Sequence, residues 1–393
     1  MKIASVLVAF FGLAAATPLS SPNDPAARGS CKFKDSRCCL PDEDHPYPDG
    51  YPKFDAKKHR TITVKAGKSI QKAINSAACG DRILVEAGTY AEQLTVNTDG
   101  IQLIGNGAIL VPPKTAVKNT CSGLAGPGSE AGICVTGSGV KLAKFITEHR
   151  KVISVEKTVK DVVVAGFKVQ KFSGLNIAVV GAKNTRIVKN KVSDGGSYGA
   201  LTVGSYNTIV AHNQVTSTQL GFIGICMDNF SDVLVSNNKI TNQVIALCVQ
   251  TTSAKVQYNK VSNSCYGAFV DPGVKGPKVI HNYIGPSNPN CGKIGVTGIL
   301  LDGSINTEVR DNVIEEQKNG GFGAGVAVID DECKAENDSL SCRLLGHKAI
   351  AKDNAILRNT FRKNDYDIFV NTTGTGNVVS CNECTLPSKY CKK

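Results

Sequence analysis

The sequence predicts an all-β fold, a right-handed parallel β-helix solenoid with a short N-terminal capping helix and disulfides. Three observations lead to this prediction. A unit of short strands recurs from about residue 160, one asparagine recurs at the same place in each unit, and the 393 residues include fifteen cysteines. A repeat period of roughly 20–50 residues is typical of solenoids, in which each unit buries its apolar face against its neighbours.

The recurring asparagine is followed by one residue and then, in all but the last unit, by a β-branched or aromatic residue. Its spacings are 23, 25, 21, 23, 30, 47 and 23 residues, so the long gaps predict coils with insertions. An asparagine stacked on the asparagine of the next coil satisfies polar groups inside a tight turn. Leucine-rich repeats have a similar period but need a leucine framework, which this chain lacks. The series is Asn190, Asn213, Asn238, Asn259, Asn282, Asn312, Asn359 and Asn382.

The N-terminus predicts secretion to the extracellular space. Lys2 precedes an apolar stretch, Ile3–Leu13, and three alanines follow, which is typical of a signal peptide at residues 1–16. The cysteine count agrees with an oxidising compartment. Residues 17–60 then form a cysteine-containing N-terminal arm, and residues 61–393 form a single right-handed parallel β-helix domain. Three sequons would accept glycans where they are exposed: Asn229, Asn337 and Asn371.

A short amphipathic helix is predicted over Ser69–Ala78. Ile70, Ala73, Ile74 and Ala77 recur at helical spacing and lie on one face. An open solenoid end exposes core side chains and strand edges, so it needs a cap. This helix is therefore predicted to close the N-terminal end.

Aligning the coils brings several cysteines together. Residues at equivalent positions of neighbouring coils lie one strand spacing apart, which is close enough for a disulfide. Other pairs would close inserted loops, and two groups would tie down the chain ends. The predicted pairs are Cys226–Cys248, Cys265–Cys291, Cys121–Cys134 and Cys333–Cys342, and the groups are Cys31, Cys38, Cys39 with Cys79, and Cys381, Cys384 with Cys391.

The first coils, Gly80–Glu92 and Ile101–Asn106, resemble those of the pectin-lyase-like right-handed parallel β-helix superfamily. This superfamily includes pectate lyases, pectin methylesterases, polygalacturonases, uronan epimerases and NosD-type repeat proteins. The resemblance covers roughly residues 62–390 and implies the architecture rather than one reaction. The chain lacks the signature segments of the methylesterases, polygalacturonases and main pectate lyases. Tyr266–Pro272 resembles the Tyr-Gly-Phe-Asp-Pro-His segment of mannuronan epimerases, with an insertion and without the histidine.

An acidic column is predicted where the strands of one sheet enter the next turn. Asp271, Asp302 and Asp330 would lie on three consecutive coils and point outward, with neighbours about 5 Å apart at the backbone. Carboxylates at that spacing repel each other and need a cation, a proton or a basic residue. Calcium bound by Asp271 and Asp302 is the candidate cofactor. The full column is Gly204, Asp228, Gln250, Asp271, Asp302, Asp330 and Asn371.

A basic row is predicted on the strand that follows. Lys255 and Lys278 take the same outward position as Arg186, and Lys275 lies in the turn after Asp271. A lysine beside a cation site has a lowered pKa and can remove a proton next to a carboxylate. The candidate catalytic residues are therefore Asp271, Asp302, Asp330, Lys255 and Lys278. The alternative remains that turn aspartates and surface lysines serve turn formation and solvation alone.

The resemblance, the formal net charge of +12 and the acidic column together predict a secreted polysaccharide-active enzyme. A lyase that cleaves a uronic-acid polysaccharide by β-elimination fits best. One alternative is a non-catalytic secreted β-helix protein that associates with a wall or a host, and another is a glycoside hydrolase or uronan C5-epimerase. The expected partner of this monomer is an acidic polysaccharide, with neither nucleic acid nor a membrane span.

Two surface features would separate these alternatives. An open groove that holds Asp271, Asp302, Lys255 and Lys278 would favour an enzyme, whereas a covered face would favour a binding module. The insert at residues 111–160 carries proline, glycine and basic residues, and it would either line the groove or cover it.

Overall fold

The computed structural model describes residues 59–334 and 339–391. These residues divide into two compact units, one up to Lys239 and one from Ile240, and each is described by itself. The predicted signal peptide and nearly all of the N-terminal arm lie outside the described residues. No described helix is long and apolar enough to cross a bilayer.

In the first unit, each coil passes through three parallel sheets in a fixed order. Val169, Val192 and Val215 occupy paired positions on successive strands of the second sheet and are almost completely buried. Such stacked β-branched residues form the core, and burial of each stabilises the fold by roughly 1.5–3 kcal/mol. The first sheet contains Thr61–Val64, Arg82–Val85, Gln102–Gly105, Val159–Lys160, Val163–Ala165, Ala182–Lys183, Arg186–Val188, Tyr206–Ala211 and Ser231–Ser236. The second contains Gly88–Ala91, Ala108–Val111, Lys168–Gln170, Lys191–Ser193 and Gln214–Thr216, and the third contains Leu94–Val96, Ala131–Thr136, Leu175–Val180, Tyr198–Val203 and Gly221–Asp228.

The second unit repeats the same order of strands. The strand Lys239–Thr241 contains the division between the units. The first sheet contains Lys255–Gln257, Lys278–Ile280, Glu308–Arg310, Ala355–Leu357 and Val378–Ser380. The second contains Lys260–Ser262, Tyr283–Ile284, Val313–Glu315 and Thr360–Arg362, and the third contains Gln243–Val249, Tyr266–Val270, Thr297–Asp302, Ala324–Ile329 and Tyr366–Asn371. The predicted parallel β-helix is confirmed.

The predicted capping helix is confirmed over Ile70–Ser76. The Ser69 hydroxyl accepts a hydrogen bond from the Lys72 N–H, which caps the helix N-terminus, and Ile70, Ala73 and Ile74 are buried. A second helix, Leu340–Leu345, was not predicted and lies in the long insertion before residue 351. Two 3-10 turns cover Pro289–Ile294 and Ser388–Tyr390.

The asparagine ladder is confirmed in both units. Asn213 Oδ1 accepts hydrogen bonds from the backbone N–H and the side-chain amide of Asn190, at 2.9 and 3.1 Å. Asn282 donates to Asn312, and Asn312 donates directly to Asn359, in the same way. The gaps of 30 and 47 residues are therefore each a single coil that carries an insertion.

Three predicted disulfides are confirmed: Cys121–Cys134, Cys265–Cys291 and Cys333–Cys342. At the C-terminus Cys384 pairs with Cys391. Cys79 is a free, exposed thiol. Cys226, Cys248 and Cys381 are also disulfide-bonded, and Cys31, Cys38 and Cys39 lie outside the described residues.

The long connections in each unit differ from the regular turns. In the first unit, Lys141–Leu142 and Val152–Ser154 form an antiparallel pair within the insertion. The chain then packs so tightly on the turn at Gly204 that a Cβ there would lie 2.3 Å from Val152 Cβ. In the second unit, a Cβ at Gly303 would likewise lie 2.3 Å from Ala349 Cβ. Both glycines have positive φ, so the turn and the overlying chain require glycine.

Candidate functional site

The strand register corrects the predicted acidic column. Val270 pairs with Leu301, so Asp271 and Asp302 follow at equivalent positions. Asp302 pairs with Ile329, and Ile329 pairs with Asn371, which places Asp330 one residue beyond the column. The same shift occurs in the first unit, where Asp228 pairs with Val203 rather than with Gly204.

A row of glycines explains this register. Gly267, Gly298 and Gly325 each lie four residues before the column position, and a Cβ at Gly267 or Gly298 would meet the carbonyl oxygen of the next glycine at 2.5 Å. This close backbone approach excludes other residues. Alignment on these glycines, rather than on the apolar residues directly before each predicted column residue, gives the observed pairing.

Asp271 and Asp302 are buried rather than exposed. Neighbouring segments of the protein cover their side chains, and Asp271 and Asp302 are 3% and 4% exposed. Asp271 Oδ2 accepts hydrogen bonds from Gln250 Nε2 and from the Ser341 hydroxyl, both at 2.8 Å. Because Ser341 belongs to the helix Leu340–Leu345, the insertion covers the position that was expected to face an open groove.

The charge of Asp302 acts on a nearby tyrosine. Burial, together with the negative charge of Asp302, raises the pKa of Tyr266 well above its usual value. The Tyr266 hydroxyl donates a hydrogen bond to the Ile294 carbonyl at 2.6 Å. The Tyr266 hydroxyl therefore stays protonated and serves as a hydrogen-bond donor.

Asp330 is held within a turn by several donors. Its carboxylate accepts hydrogen bonds from the Ala351 N–H at 3.0 Å and from the Thr373 N–H and hydroxyl at 2.8 and 2.7 Å, and also from the Thr372 hydroxyl. Partial burial acts to raise the pKa of Asp330, but these hydrogen bonds outweigh it and hold the pKa below its ordinary value. Asp330 thus stabilises this turn.

The described residues do not form a three-carboxylate calcium site at the predicted column. Asp331, Cys333 and Cys342 are the one described group of three potential metal ligands close enough together, and its two cysteines form a disulfide. Calcium takes about six to eight oxygen ligands, whereas the column offers the carboxylates of Asp271 and Asp302. The residue set therefore falls short of a calcium site.

Lys255 and Lys278 lie at paired positions on adjacent strands of the first sheet, as predicted. The next residue in this row is Glu308, and Lys278 Nζ lies 3.4 Å from a carboxylate oxygen of Glu308. Arg310 also pairs with Glu308, at 2.5 Å. Lys255 is exposed. Asp271 and Asp302, by contrast, lie at the ends of strands of the third sheet.

A buried polar cluster in the first unit was not predicted. His149 is completely buried, and its Nε2 lies 2.9 Å from Asp228 Oδ2 while its Nδ1 lies 3.0 Å from the Tyr198 hydroxyl. Lys151 Nζ lies 2.5 Å from Asp228 Oδ1. The cluster fastens the insertion to the third sheet. His149 and Lys151 lie in a non-repeating segment, so no periodic signal indicates their position.

Ile153 and Phe230, two residues after Lys151 and Asp228 along the chain, line an open cleft of about 510 Å³. One wall is the end of the insertion, from Ile153 to Lys160, and the other carries Tyr206 and Phe230. The two aromatic rings lie 5.4 Å apart with an interplanar angle of 40°. The insertion thus lines a cleft, which was one of its two expected roles, although this cleft is not the predicted groove.

The model of the family described as the right-handed β-helix region matches residues 92–284. The chain is a right-handed parallel β-helix protein. This confirms the handedness predicted from the repeat and the architecture implied by the resemblance to the pectin-lyase-like superfamily. No curated protein matches the chain.

Solved structures similar to this β-helix protein come from several enzymes. The lidless DFA-IIIase of Arthrobacter chlorophenolicus A6 in complex with GF2 has a TM-score of 0.54 at 13% identity, over 85% of this chain and 96% of that one. An alginate lyase from Paenibacillus sp. str. FPU-7 has a TM-score of 0.48 at 13% identity, over 80% of this chain and 99% of the lyase. The A-module of a mannuronan C-5 epimerase from Azotobacter vinelandii has a TM-score of 0.46 at 14% identity, over 81% of this chain and 93% of the A-module. At these identities the likeness concerns the fold.

Proposed function

We propose that the protein is secreted and acts on an acidic polysaccharide. The distribution of charge carries this proposal. Residues 59–239 contain 20 lysines and arginines against 11 aspartates and glutamates, whereas residues 240–391 contain 15 of each. A charge excess on one part of a protein concentrates ligands of opposite sign.

The lysines of the first unit are arranged in rows. Lys168 and Lys191 take paired positions on adjacent strands, as do Lys160 and Lys183, and all four are exposed. Paired strands of a sheet lie about 4.8 Å apart, so each row presents positive charges at a regular, short interval. An extended polymer with a carboxylate on each sugar complements such rows.

The reaction proposed for the enzyme is β-elimination on a uronic acid. A base removes the proton at C5, the bond from C4 to the glycosidic oxygen breaks, a C4–C5 double bond forms, and the leaving oxygen takes a proton. Lys255 or Lys278 is the proposed base, and Asp271, Asp302 and Asp330 are the proposed acidic residues.

Binding without cleavage is the second candidate function. The burial of Asp271 and Asp302 and the ion pair of Lys278 with Glu308 favour it. A wall-associated or host-interacting β-helix protein would need the basic surface but not these carboxylates.

Ultraviolet absorbance of the unsaturated product distinguishes cleavage by β-elimination from binding without cleavage. The purified protein is incubated with pectate, alginate, glucuronan or hyaluronan, with and without calcium. An increase in ultraviolet absorbance that is lost in Asp271→Ala and Lys278→Ala, and kept in the exposed control Lys363→Ala, would support the lyase. If absorbance stays constant on all four polymers, the lyase is excluded, and release of reducing ends then tests for a hydrolase.

A further inference from the structure

We propose that the cleft between residues 153–160 and the pair Tyr206–Phe230 is a binding subsite for an anionic saccharide unit. The proposal rests on the proposed function, because it names where the first unit holds one sugar of an acidic polymer. The subsite is separate from the predicted acidic column.

The aromatic pair supplies an apolar platform. Tyr206 is 38% and Phe230 is 44% exposed, and Ile153, which also lines the cleft, is 65% exposed. Large apolar side chains grouped at the surface mark places where a ligand or partner binds. The C–H face of a pyranose ring is apolar and flat, so it can pack on such rings while its hydroxyls stay in water.

Positive charge surrounds this platform. Lys157 and Lys160 line the cleft, and Lys183 takes the strand position between Lys160 and Tyr206. Glu156 is the carboxylate among the lining residues. The excess of lysines over this one carboxylate selects a sugar with a carboxylate or sulfate over a neutral sugar.

Contacts on the chain next to the lining residues anchor the cleft. The Lys151–Asp228 ion pair holds both walls, because Ile153 and Phe230 each follow a member of the pair by two residues. Val155 packs so closely on Gly181 that a Cβ there would lie 2.7 Å from Val155 Cγ2. Preformed sites lose less conformational entropy on binding, and ligand sites typically measure about 300–1,000 Å³, a range that includes this cleft.

Calorimetry with defined tetrasaccharides tests the subsite on the full chain. The probes are tetramers of galacturonate, mannuronate and glucuronate, and the methyl ester of the galacturonate tetramer serves as the uncharged control. We expect at least one acidic tetramer to bind and the ester to bind at least tenfold more weakly. Phe230→Ala should weaken binding at least tenfold and Lys160→Ala several-fold, whereas Phe322→Ala and Lys144→Ala, on exposed residues outside the cleft, should leave it unchanged.

Three results would overturn the subsite. They are equal binding of acid and ester, unchanged affinity in the Phe230→Ala/Lys160→Ala double variant, and no binding of any acidic tetramer. If the protein still binds or cleaves an acidic polysaccharide in any of these cases, the proposed function stands and the subsite alone fails. If it neither binds nor cleaves any of them, the proposed function fails as well.

Discussion

Lys151 and Asp228 form an ion pair in which the lysine nitrogen lies 2.5 Å from a carboxylate oxygen. The two residues are 77 positions apart, so the pair fastens a non-repeating insertion to a strand of the third sheet. The second carboxylate oxygen contacts His149, which is completely buried. This one carboxylate therefore determines the position of the chain that forms one wall of the cleft.

Asp228→Ala should lower the free energy of unfolding by roughly 3 kcal/mol, because it leaves a buried imidazole and a largely buried ammonium without their shared partner. Urea denaturation measures the change. Asp232→Asn, on an exposed residue of the next strand along the chain, is the control and should change stability by less than about 0.5 kcal/mol, because asparagine tolerates the positive φ at this position. Equal losses in the two variants would contradict the role of Asp228.

Asn282→Ala should be among the most destabilising single changes in the second unit. The Asn282 side chain donates to the carbonyl of Val256 and to Asn312, and it accepts from Asn259. Its loss leaves buried donors and acceptors unsatisfied and should cost roughly 3 kcal/mol or more. Asn290→Ala removes an exposed asparagine outside the ladder, and its stability in urea should match that of the wild type. A small effect at Asn282 would show that the ladder contributes little to stability.

The ladder could be predicted because it is periodic. Each coil needs the same amide at the same turn, so Asn190 and its equivalents recur in the sequence with a spacing that the coil length determines. The predicted position of Asp330 in the acidic column was wrong for a related reason. The apolar residues directly before Asp330 permit two alignments, and only the glycine row, which Gly325 continues, selects the correct one.

The burial of Asp271 and the cleft at Phe230 could not be predicted in the same way. Both depend on insertions, and an insertion has no equivalent in the neighbouring coil from which its course could be inferred. Ser341 reaches Asp271 across 70 positions, and Lys151 reaches Asp228 across 77. Sequence patterns placed the strands that carry these carboxylates but not the chain that covers them.

Asp330 should make stability depend on pH in the acid range. Its folded pKa lies below the ordinary value of 3.8, so its contribution is present above that value and is lost as the pH falls through the lowered pKa. Asp330→Asn should be less stable than the wild type at neutral pH, and the difference should shrink as the pH falls below 3.8. Urea denaturation across this range measures it.

Thr373→Val provides a graded control for this prediction. It removes one hydroxyl donor to Asp330 and leaves the N–H donors in place, so it should produce a smaller loss with the same dependence on pH. If the stability difference for Asp330→Asn does not change with pH, the hydrogen bonds to this carboxylate do not lower its pKa.

The Cys265–Cys291 disulfide should stabilise the second unit. It closes a loop of 26 residues, for which loss of the cross-link is expected to cost roughly 3 kcal/mol. The Cys265→Ala/Cys291→Ala double variant should unfold at a lower urea concentration than the wild type. The wild-type protein under reducing conditions should lose at least as much stability as the variant, because the reductant also breaks the other disulfides. A variant as stable as the oxidised wild type would show that the native packing alone holds this loop.

Retention on an acidic polysaccharide should depend on the lysine rows of the first unit. Lys168→Glu/Lys191→Glu reverses two neighbouring charges on an exposed strand face and should lower the salt concentration needed for elution from immobilised pectate or alginate. Exposed charges are screened by salt, so wild-type binding should itself weaken as ionic strength rises. Lys363→Glu/Lys389→Glu makes the same change in net charge within residues 240–391. If both double variants elute together, net charge alone governs binding and the rows in the first unit have no special part in it.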